Sequence, residues 1–163
     1  MLHLVLESTK LKDGGRIYFG KNGDSQPNVI RYLSEVEGFV PWTWWPHEEV
    51  GHTDEARKEV QAIFGTQTAF DTPKPTRLIQ RVIQIATNPG DLILDSFAGS
   101  GTTGHAVLKQ NAEDGGNRQF ILVEMDNRIA ENVTAERAKR VATGYTSAKE
   151  SIVEGLGGGF QFC

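Results

Sequence analysis

One stretch of the chain constrains the fold more than any other: residues 92–103, Leu-Ile-Leu-Asp-Ser-Phe-Ala-Gly-Ser-Gly-Thr-Thr. Its three leading apolar residues predict a strand buried on both faces, as in a parallel sheet. Gly99 and Gly101 allow a sharp turn and the close approach of a ligand, and Thr102 or Thr103 can cap a following helix. Because the N–H groups at a helix start attract polar or anionic groups, the stretch predicts a strand–loop–helix nucleotide site.

The back half of the chain alternates helical and strand patterns around this stretch. The expected elements are a helix at 76–87, a strand at 92–95, a helix at 102–110, a solvent loop at 111–118, a strand at 120–124 and a helix from its cap at Asn127 to Val141. Gly144 ends the last helix, on which Arg137, Lys139 and Arg140 are expected to form a solvated face. The order of elements predicts an α/β fold with a Rossmann-like parallel sheet flanked by helices.

The front half has weaker periodicity. We expect a strand at 16–19, a helix from Pro27 to Val36 that Gly38 ends, an extended segment at 39–46 that holds all three tryptophans, and a helix that starts at Thr53 and ends at Gly65. The segment 66–75 is a polar, proline-containing connection. We therefore predict two regions, residues 1–70 and residues 71–163, with the nucleotide site in the second.

Charge and composition exclude several classes of protein. A formal net charge of −4 gives no global attraction to nucleic acid, so any contact with DNA needs a local patch or another part of the protein. The single cysteine, Cys163, excludes an internal disulfide and suits a reducing, cytosolic setting. The chain contains no apolar run near the roughly 20 residues that span a bilayer, so no contact with a membrane is expected.

The glycine turn leaves two kinds of cofactor open. Residues 99–104 match G-x-G-x-x-G, and Glu124 ends the next predicted strand at the distance where an acid holds ribose hydroxyls in dinucleotide sites. The same features fit any cofactor that carries an adenosine across two strand ends. Too few residues follow Glu124 for a second mononucleotide-binding half, and Asp95 would repel a pyrophosphate. An acid at that position suits a cationic group such as an α-ammonium.

The motifs resemble those of one enzyme family. Residues 95–103 are similar to the D-P-F-x-G-S-G-T-T signature of S-adenosylmethionine-dependent DNA methyltransferases that modify adenine N6 or cytosine N4, with Ser96 where proline is usual. Residues 70–79 resemble the segment before that signature, and residues 120–140 resemble the ribose-binding strand and its helix. Residues 15–20, the tryptophan segment 39–46 ahead of residues 49–53, and residues 155–160 are most similar to the modification (Mod) subunit of type III restriction–modification systems.

The resemblance implies that an essential part of the enzyme is absent from this sequence. The family's catalytic tetrad has the form (D/N/S)-P-P-(Y/F/W), and the chain contains no Pro-Pro pair. The chain therefore resembles the C-terminal, cofactor-binding portion of an adenine-N6 DNA methyltransferase, with no catalytic residue of its own. Residues 1–70 would be a remnant of the target-recognition region. The partners implied are double-stranded DNA, a second copy in a homodimer and a restriction subunit, in the cytoplasm of a bacterium or in a phage system.

The resemblance also implies a role for each candidate site residue. Asp95 would lie near the ammonium group of S-adenosyl-L-methionine, Glu124 would hold its ribose and Met125 would pack on its adenine. The full cofactor-binding set is Lys74, Thr76, Asp95, Ser96, Phe97, Gly99, Ser100, Gly101, Thr102, Glu124 and Met125, with Lys74 and Thr76 near the methionine carboxylate. We expect no metal, because the histidines and acids at 47–52 lack a matching ligand set.

Two alternatives remain open at this stage. A fragment of an NAD(P)-dependent Rossmann enzyme would bind NAD and not the sulfonium cofactor. A non-catalytic module would bind a cofactor or a partner without any chemistry.

Overall fold

The computed structural model describes residues 9–35, 38, 40–65 and 70–163. Contacts divide the chain into two compact units, Met1–Pro41 and Trp42–Cys163. The second unit therefore begins before the predicted boundary at residue 70, while the functional assignment of residues 1–70 and 71–163 stays a prediction. In the described residues, no helix has both the length and the apolar character needed to cross a bilayer.

The first unit is built around a short antiparallel pair of strands. Residues 9–13 are helical (α1), β1 covers Ile17–Tyr18, β2 covers Asn28–Val29, and a 3₁₀ turn covers Leu33–Glu35. The predicted strand at 16–19 is confirmed in shorter form. The predicted helix from Pro27 is wrong, because Val29 pairs with Ile17 and the N–H of Ile30 donates to the carbonyl of Arg16 at 2.8 Å. Val36 lies outside the described residues.

Most of the regular secondary structure of the second unit is helical. The helices are α2 (His47–Val50), α3 (Thr53–Phe64), α4 (Thr76–Ala86), α5 (Thr102–Asp114), α6 (Asn127–Ile129) and α7 (Glu136–Thr143), with a π-helical turn at Ala130–Ala135 that joins α6 to α7. The residues that cap two of them differ from the prediction. The pattern that predicts the start of α3 at Thr53 also makes Thr53 the expected cap, but His52 caps the helix by accepting the N–H of Glu55 at 3.1 Å. Asp126, rather than Asn127, caps α6.

Two parallel strands carry the predicted α/β order. β3 (Leu92–Asp95) pairs with β4 (Gln119–Leu122), with Leu92 opposite Gln119 and Asp95 opposite Leu122. Helix α5 connects them, as the sequence predicts. After α7, a hairpin that the sequence did not predict pairs β5 (Gly144–Thr146) with β6 (Ile152–Glu154).

The core lies on one face of this sheet. Ile83 of α4 and Ala106 and Val107 of α5 are buried against Ile93 and Phe120 of the strands. On the opposite face, four apolar side chains are between 46% and 65% exposed: Leu92, Leu94, Ile121 and Val123. The prediction of a strand buried on both faces is therefore wrong for this chain, because the helical layer of the described residues covers one face only.

The predicted solvent loop at 111–118 is largely structured. Helix α5 continues to Asp114, and Arg118 is 6% exposed. The guanidinium of Arg118 contacts Asp114 at 2.8 Å and donates to the hydroxyl of Thr87 at 2.9 Å. The side chain of Asn111 bonds both the backbone N–H and the carbonyl of Arg118. The expected solvent exposure of this segment is wrong at Arg118, because its charge is paired inside the fold.

Candidate functional site

The turn between β3 and α5 depends on two glycines with positive φ. Gly99 has φ +49° and Gly101 has φ +71°. A Cβ at Gly99 would lie 2.9 Å from the ring of Phe70, and one at Gly101 would lie 3.0 Å from the carbonyl oxygen of Thr134. Both positions therefore exclude a side chain for reasons of conformation and of space.

Asp95 fixes the start of this turn. One carboxylate oxygen accepts the N–H of Phe97 at 3.1 Å and the other accepts the hydroxyl of Thr103 at 2.6 Å. Gly101, which has no side chain, is the N-cap of α5, so the predicted capping by Thr102 or Thr103 is wrong. The hydroxyl of Thr103 is committed to Asp95 instead.

Glu124 joins the two strand ends. One of its oxygens accepts the N–H of Gly99 at 2.9 Å and the other accepts the N–H of Asp126 at 3.0 Å. A carboxylate offers about four acceptor positions, so these two bonds leave capacity for further donors. The acid at the end of β4 thus lies directly against the glycine turn, as the sequence places it.

The predicted site residues divide into an exposed group and a buried group. Ser96 is exposed, and Phe97 and Met125 are 79% and 83% exposed. Ser100 and Thr102 are 3% and 5% exposed, with their hydroxyl oxygens 3.0 Å apart. The exposed group is available to a ligand, whereas the buried hydroxyls bond within the protein.

The two predicted site residues at the start of α4, Lys74 and Thr76, also differ in position. Lys74 is exposed, and its carbonyl accepts the hydroxyl of Thr102 at 3.3 Å. Thr76 is 2% exposed, and its hydroxyl donates to Glu59 at 2.6 Å. The side chain of Thr76 is therefore part of the internal framework, and a direct role at a ligand stays a prediction for both residues.

Sequence analysis missed a buried arginine beneath the turn. Arg137 is 0% exposed, so the predicted solvated face of α7 is wrong at that residue. Arg140 donates to the carbonyl of Ile63 at 2.8 Å, and only Lys139 of the three is exposed. A signal was present, because Arg137 lies four residues from Val133 and from Val141, both buried on the same helical face.

Comparisons with known proteins cover the part of the chain that contains this turn. A sequence profile described as DNA methylase matches residues 20–136. The chain belongs to the DNA methylase family. The resemblance drawn from residues 95–103 is thereby confirmed, and family membership favours this assignment over a dinucleotide-dependent enzyme.

Two similar proteins are type III modification subunits and a third is a type II enzyme. The chain is 38% identical over 141 residues to the type III restriction-modification enzyme StyLTI Mod subunit of Salmonella typhimurium, covering 86% of this chain and 20% of that protein. It is 42% identical over 122 residues to the type II methyltransferase M.KpnI of Klebsiella pneumoniae, covering 75% and 28%. It is 35% identical over 140 residues to the EcoPI Mod subunit of Escherichia phage P1, covering 86% and 19%. The chain thus spans between a fifth and three tenths of the length of these relatives.

Proposed function

We propose that this chain is the cofactor-binding portion of a DNA methyltransferase that modifies adenine N6, of the type III modification kind. The contact between Glu124 and the N–H of Gly99 carries the proposal. It brings an acid after one parallel strand against a glycine turn after the other, where a nucleoside that bridges two strand ends would lie. The names of the similar Mod subunits support the type III assignment.

The residues present fit S-adenosyl-L-methionine. The carboxylate of Glu124 retains acceptor capacity for ribose hydroxyls, and the neighbouring exposed Met125 offers an apolar surface to adenine. Asp95 supplies negative charge near the turn for the ammonium group, and Lys74 supplies positive charge for the carboxylate. Gly99 and Gly101 allow the close approach of the ligand to the backbone.

When bound, the cofactor supplies an electrophilic methyl group on a sulfonium sulfur. The residues of this chain bind and orient the ligand, and no proton transfer is assigned to them. The target base must be flipped from the duplex so that its amino nitrogen lies in line with the methyl group. The sequence contains no Pro-Pro tetrad to hold that nitrogen, so we propose that methyl transfer requires a region carrying the tetrad.

The exposed face of the sheet supports this view. Leu92, Leu94, Ile121 and Val123 form an apolar strip on two adjacent strands. Such a face in an α/β protein is normally covered by a second layer of helices. We propose that the tetrad-bearing region of a longer protein covers it. Double-stranded DNA, a second copy of the chain and a restriction subunit are proposed partners of that whole protein, and a cytoplasmic location stays a prediction.

Calorimetric titration of the chain with S-adenosyl-L-methionine and, separately, with NAD tests the proposal. We expect binding of the sulfonium cofactor, and a loss of about ten- to a hundredfold in affinity in Glu124→Ala, since hydrogen bonds to a charged acceptor contribute about 1.5–3 kcal/mol. Glu124→Gln keeps the shape of the side chain but loses its charge. Its affinity for the cofactor should fall between that of the parent and that of Glu124→Ala. Glu131→Ala, at an exposed acid of the π-helical turn, is the matched control and should bind like the parent.

The outcomes separate the candidate functions. Binding of NAD in place of the sulfonium cofactor would contradict the proposal and favour the dinucleotide alternative. Binding of neither would remove the assignment of this turn as a cofactor site in this chain.

A further inference from the structure

Arg137 has more hydrogen-bond partners than any simple structural ion pair requires. Its Nη2 lies 3.0 Å from Glu59 of α3, 3.0 Å from the hydroxyl of Thr76 of α4 and 3.1 Å from Nδ1 of His105 of α5. These partners come from three helices and lie 32 to 78 residues away in the chain. One nitrogen of the guanidinium is therefore held by the helical framework.

The other terminal nitrogen of Arg137 is directed at the glycine turn. Nη1 donates to the carbonyl of Ser100 at 3.3 Å, to its hydroxyl at 3.2 Å and to the hydroxyl of Thr102 at 3.0 Å. The planar guanidinium thus connects the framework on one side to the turn on the other. A lysine has no such fork, so the geometry is specific to arginine.

A second residue, Thr134 in the π-helical turn before α7, holds the carbonyl of Gly99 by a hydrogen bond. The hydroxyl of Thr134 donates to the carbonyl of Gly99 at 2.7 Å. Because a trans peptide is planar, the N–H of Ser100 points away from the carbonyl of Gly99, and hence away from the helix that carries Thr134. Thr134 and Arg137 together set which way the peptide groups of the turn face.

The chemistry of the network shows why the arginine can stay charged. Burial lowers the pKa of Arg137, while the carboxylate of Glu59 raises it. Burial, reinforced by the charges of Arg137 and Lys109, lowers the pKa of His105 to about 3, so at neutral pH His105 is uncharged. Its Nδ1 can then accept a hydrogen bond from Nη2 of Arg137. The Nε of Arg137 has no hydrogen-bond partner among the described residues.

A purely stabilising role is a poor explanation for this arrangement. A buried ion pair recovers little more than the cost of removing its charges from water, and an apolar replacement is often as stable. What the network does provide is a fixed orientation for a turn of small residues that has few side chains of its own to hold it.

We infer that Arg137 is a positioning residue that holds the turn 99–102 in its ligand-binding conformation from beneath. The inference rests on the proposed function only for the identity of the ligand. It assigns a positioning role to a buried residue of α7 that lies outside the glycine motif.

The test compares the same substitution at two buried arginines. Arg137→Lys and Arg118→Lys each keep the charge and remove the fork, but Arg118 lies at the far end of α5. For each variant we would measure the unfolding midpoint in urea, the affinity for S-adenosyl-L-methionine by calorimetry and the hydrogen exchange of the backbone amides of residues 98–103.

We expect Arg137→Lys to weaken cofactor binding at least tenfold and to speed amide exchange in the turn at least tenfold. We expect Arg118→Lys to lower the urea midpoint while the affinity stays within twofold of the parent. Equal losses of affinity in the two variants would overturn the inference. Unchanged amide exchange at residues 98–103 in Arg137→Lys would overturn it as well.

A second variant and a second measurement cover the cases in which Arg137→Lys does not fold or the parent chain does not bind the cofactor. If Arg137→Lys does not fold, Glu59→Gln replaces it, since it retains the arginine and removes its anchoring charge; the same tenfold changes are expected. If the parent chain does not bind the sulfonium cofactor, the proposed function fails on its own, and the amide exchange of the turn still decides whether Arg137 positions it.

Discussion

The two ends of helix α5 are held by different kinds of buried arginine. At the C-terminal end, Arg118 bonds mainly to Asn111 and Asp114, within seven residues of itself. At the N-terminal end, Arg137 of α7 bonds to residues of α3, α4 and α5 and to the turn, and its Nε has no partner among the described residues. Arg118 thus forms mostly local hydrogen bonds, whereas Arg137 belongs to a long-range network beneath a turn of small residues.

This difference separates a part of the chain that maintains its structure from the part that we propose binds the cofactor. The bonds of Arg118 to Asn111 and Asp114, together with its bond to Thr87, close the connection from α5 to β4. The network at the other end orders backbone groups whose side chains are absent or small. We therefore expect substitutions at the C-terminal end to change stability alone, and substitutions at the N-terminal end to change ligand binding as well.

The largest difference is expected between the two glycines that cap α5. Gly101 and Gly115 have φ of +71° and +69°. A Cβ at Gly101 would lie 3.0 Å from a backbone oxygen, whereas one at Gly115 would meet no atom of the described residues within 4 Å. Gly115→Ala should cost about 1–2 kcal/mol from its left-handed conformation alone. Gly101→Ala adds overpacking and should cost roughly 2–5 kcal/mol.

Urea unfolding of both variants measures these costs, and calorimetry measures cofactor affinity. We expect Gly101→Ala to lose cofactor binding and Gly115→Ala to retain it. Equal destabilisation by the two substitutions would show that the turn rearranges to accommodate a Cβ at Gly101. It would contradict the expected difference between the two ends of α5.

The second prediction concerns pH. Because the pKa of His105 falls from 6.5 to about 3 on folding, the unfolded chain binds an extra proton between these values. Stability is therefore fully present above pH 6.5 and decreases as the pH falls, by at most about 1.4 kcal/mol per pH unit and by roughly 2 kcal/mol at pH 5. The segment 110–118 at the other end of the helix contains no histidine.

Urea unfolding between pH 7 and pH 5 tests this, since carboxyl groups such as Glu55 titrate below their ordinary value of 4.5. His105→Asn keeps an acceptor for Arg137 without the titration, so its stability should change much less over this range. A parent profile that is flat between pH 7 and pH 5 would contradict the buried, neutral state of His105.

The smallest effect on stability is expected at Thr134. Thr134→Val removes the hydroxyl that bonds the carbonyl of Gly99 with little change of shape, and should cost about 1 kcal/mol. Asn111→Ala removes two bonds to the backbone of Arg118 at the far end and should cost at least as much. If the two ends of α5 differ as described, Thr134→Val lowers the affinity for the cofactor although it destabilises the fold less. Asn111→Ala leaves that affinity unchanged.

Sequence reasoning found the elements whose causes are local. The strand and turn at 92–103 and the glycine that ends α3 follow from short patterns, and the structure has them in place. The helix expected from Pro27 was wrong because pairing with β1 outweighs a short helical spacing. Caps were misplaced by one residue, since a neighbouring side chain with an acceptor can take the same N–H.

The buried network could not be predicted in full, for a physical reason. Arg137 and Glu59 are 78 residues apart, and no local pattern connects them. The burial of Arg137 could have been inferred from Val133 and Val141 on its helical face, but its partners depend on how four helices meet. The candidate site was predictable as a motif, whereas the residues that hold it were not.

The most direct test of the central claim is hydrogen exchange of the whole chain with and without saturating S-adenosyl-L-methionine. We predict that the ligand slows amide exchange at residues 97–101 and 124–126, at the N-terminal end of α5 and the end of β4, and leaves residues 111–118 unchanged. Protection centred on residues 111–118, or no protection at the glycine turn, would contradict the account.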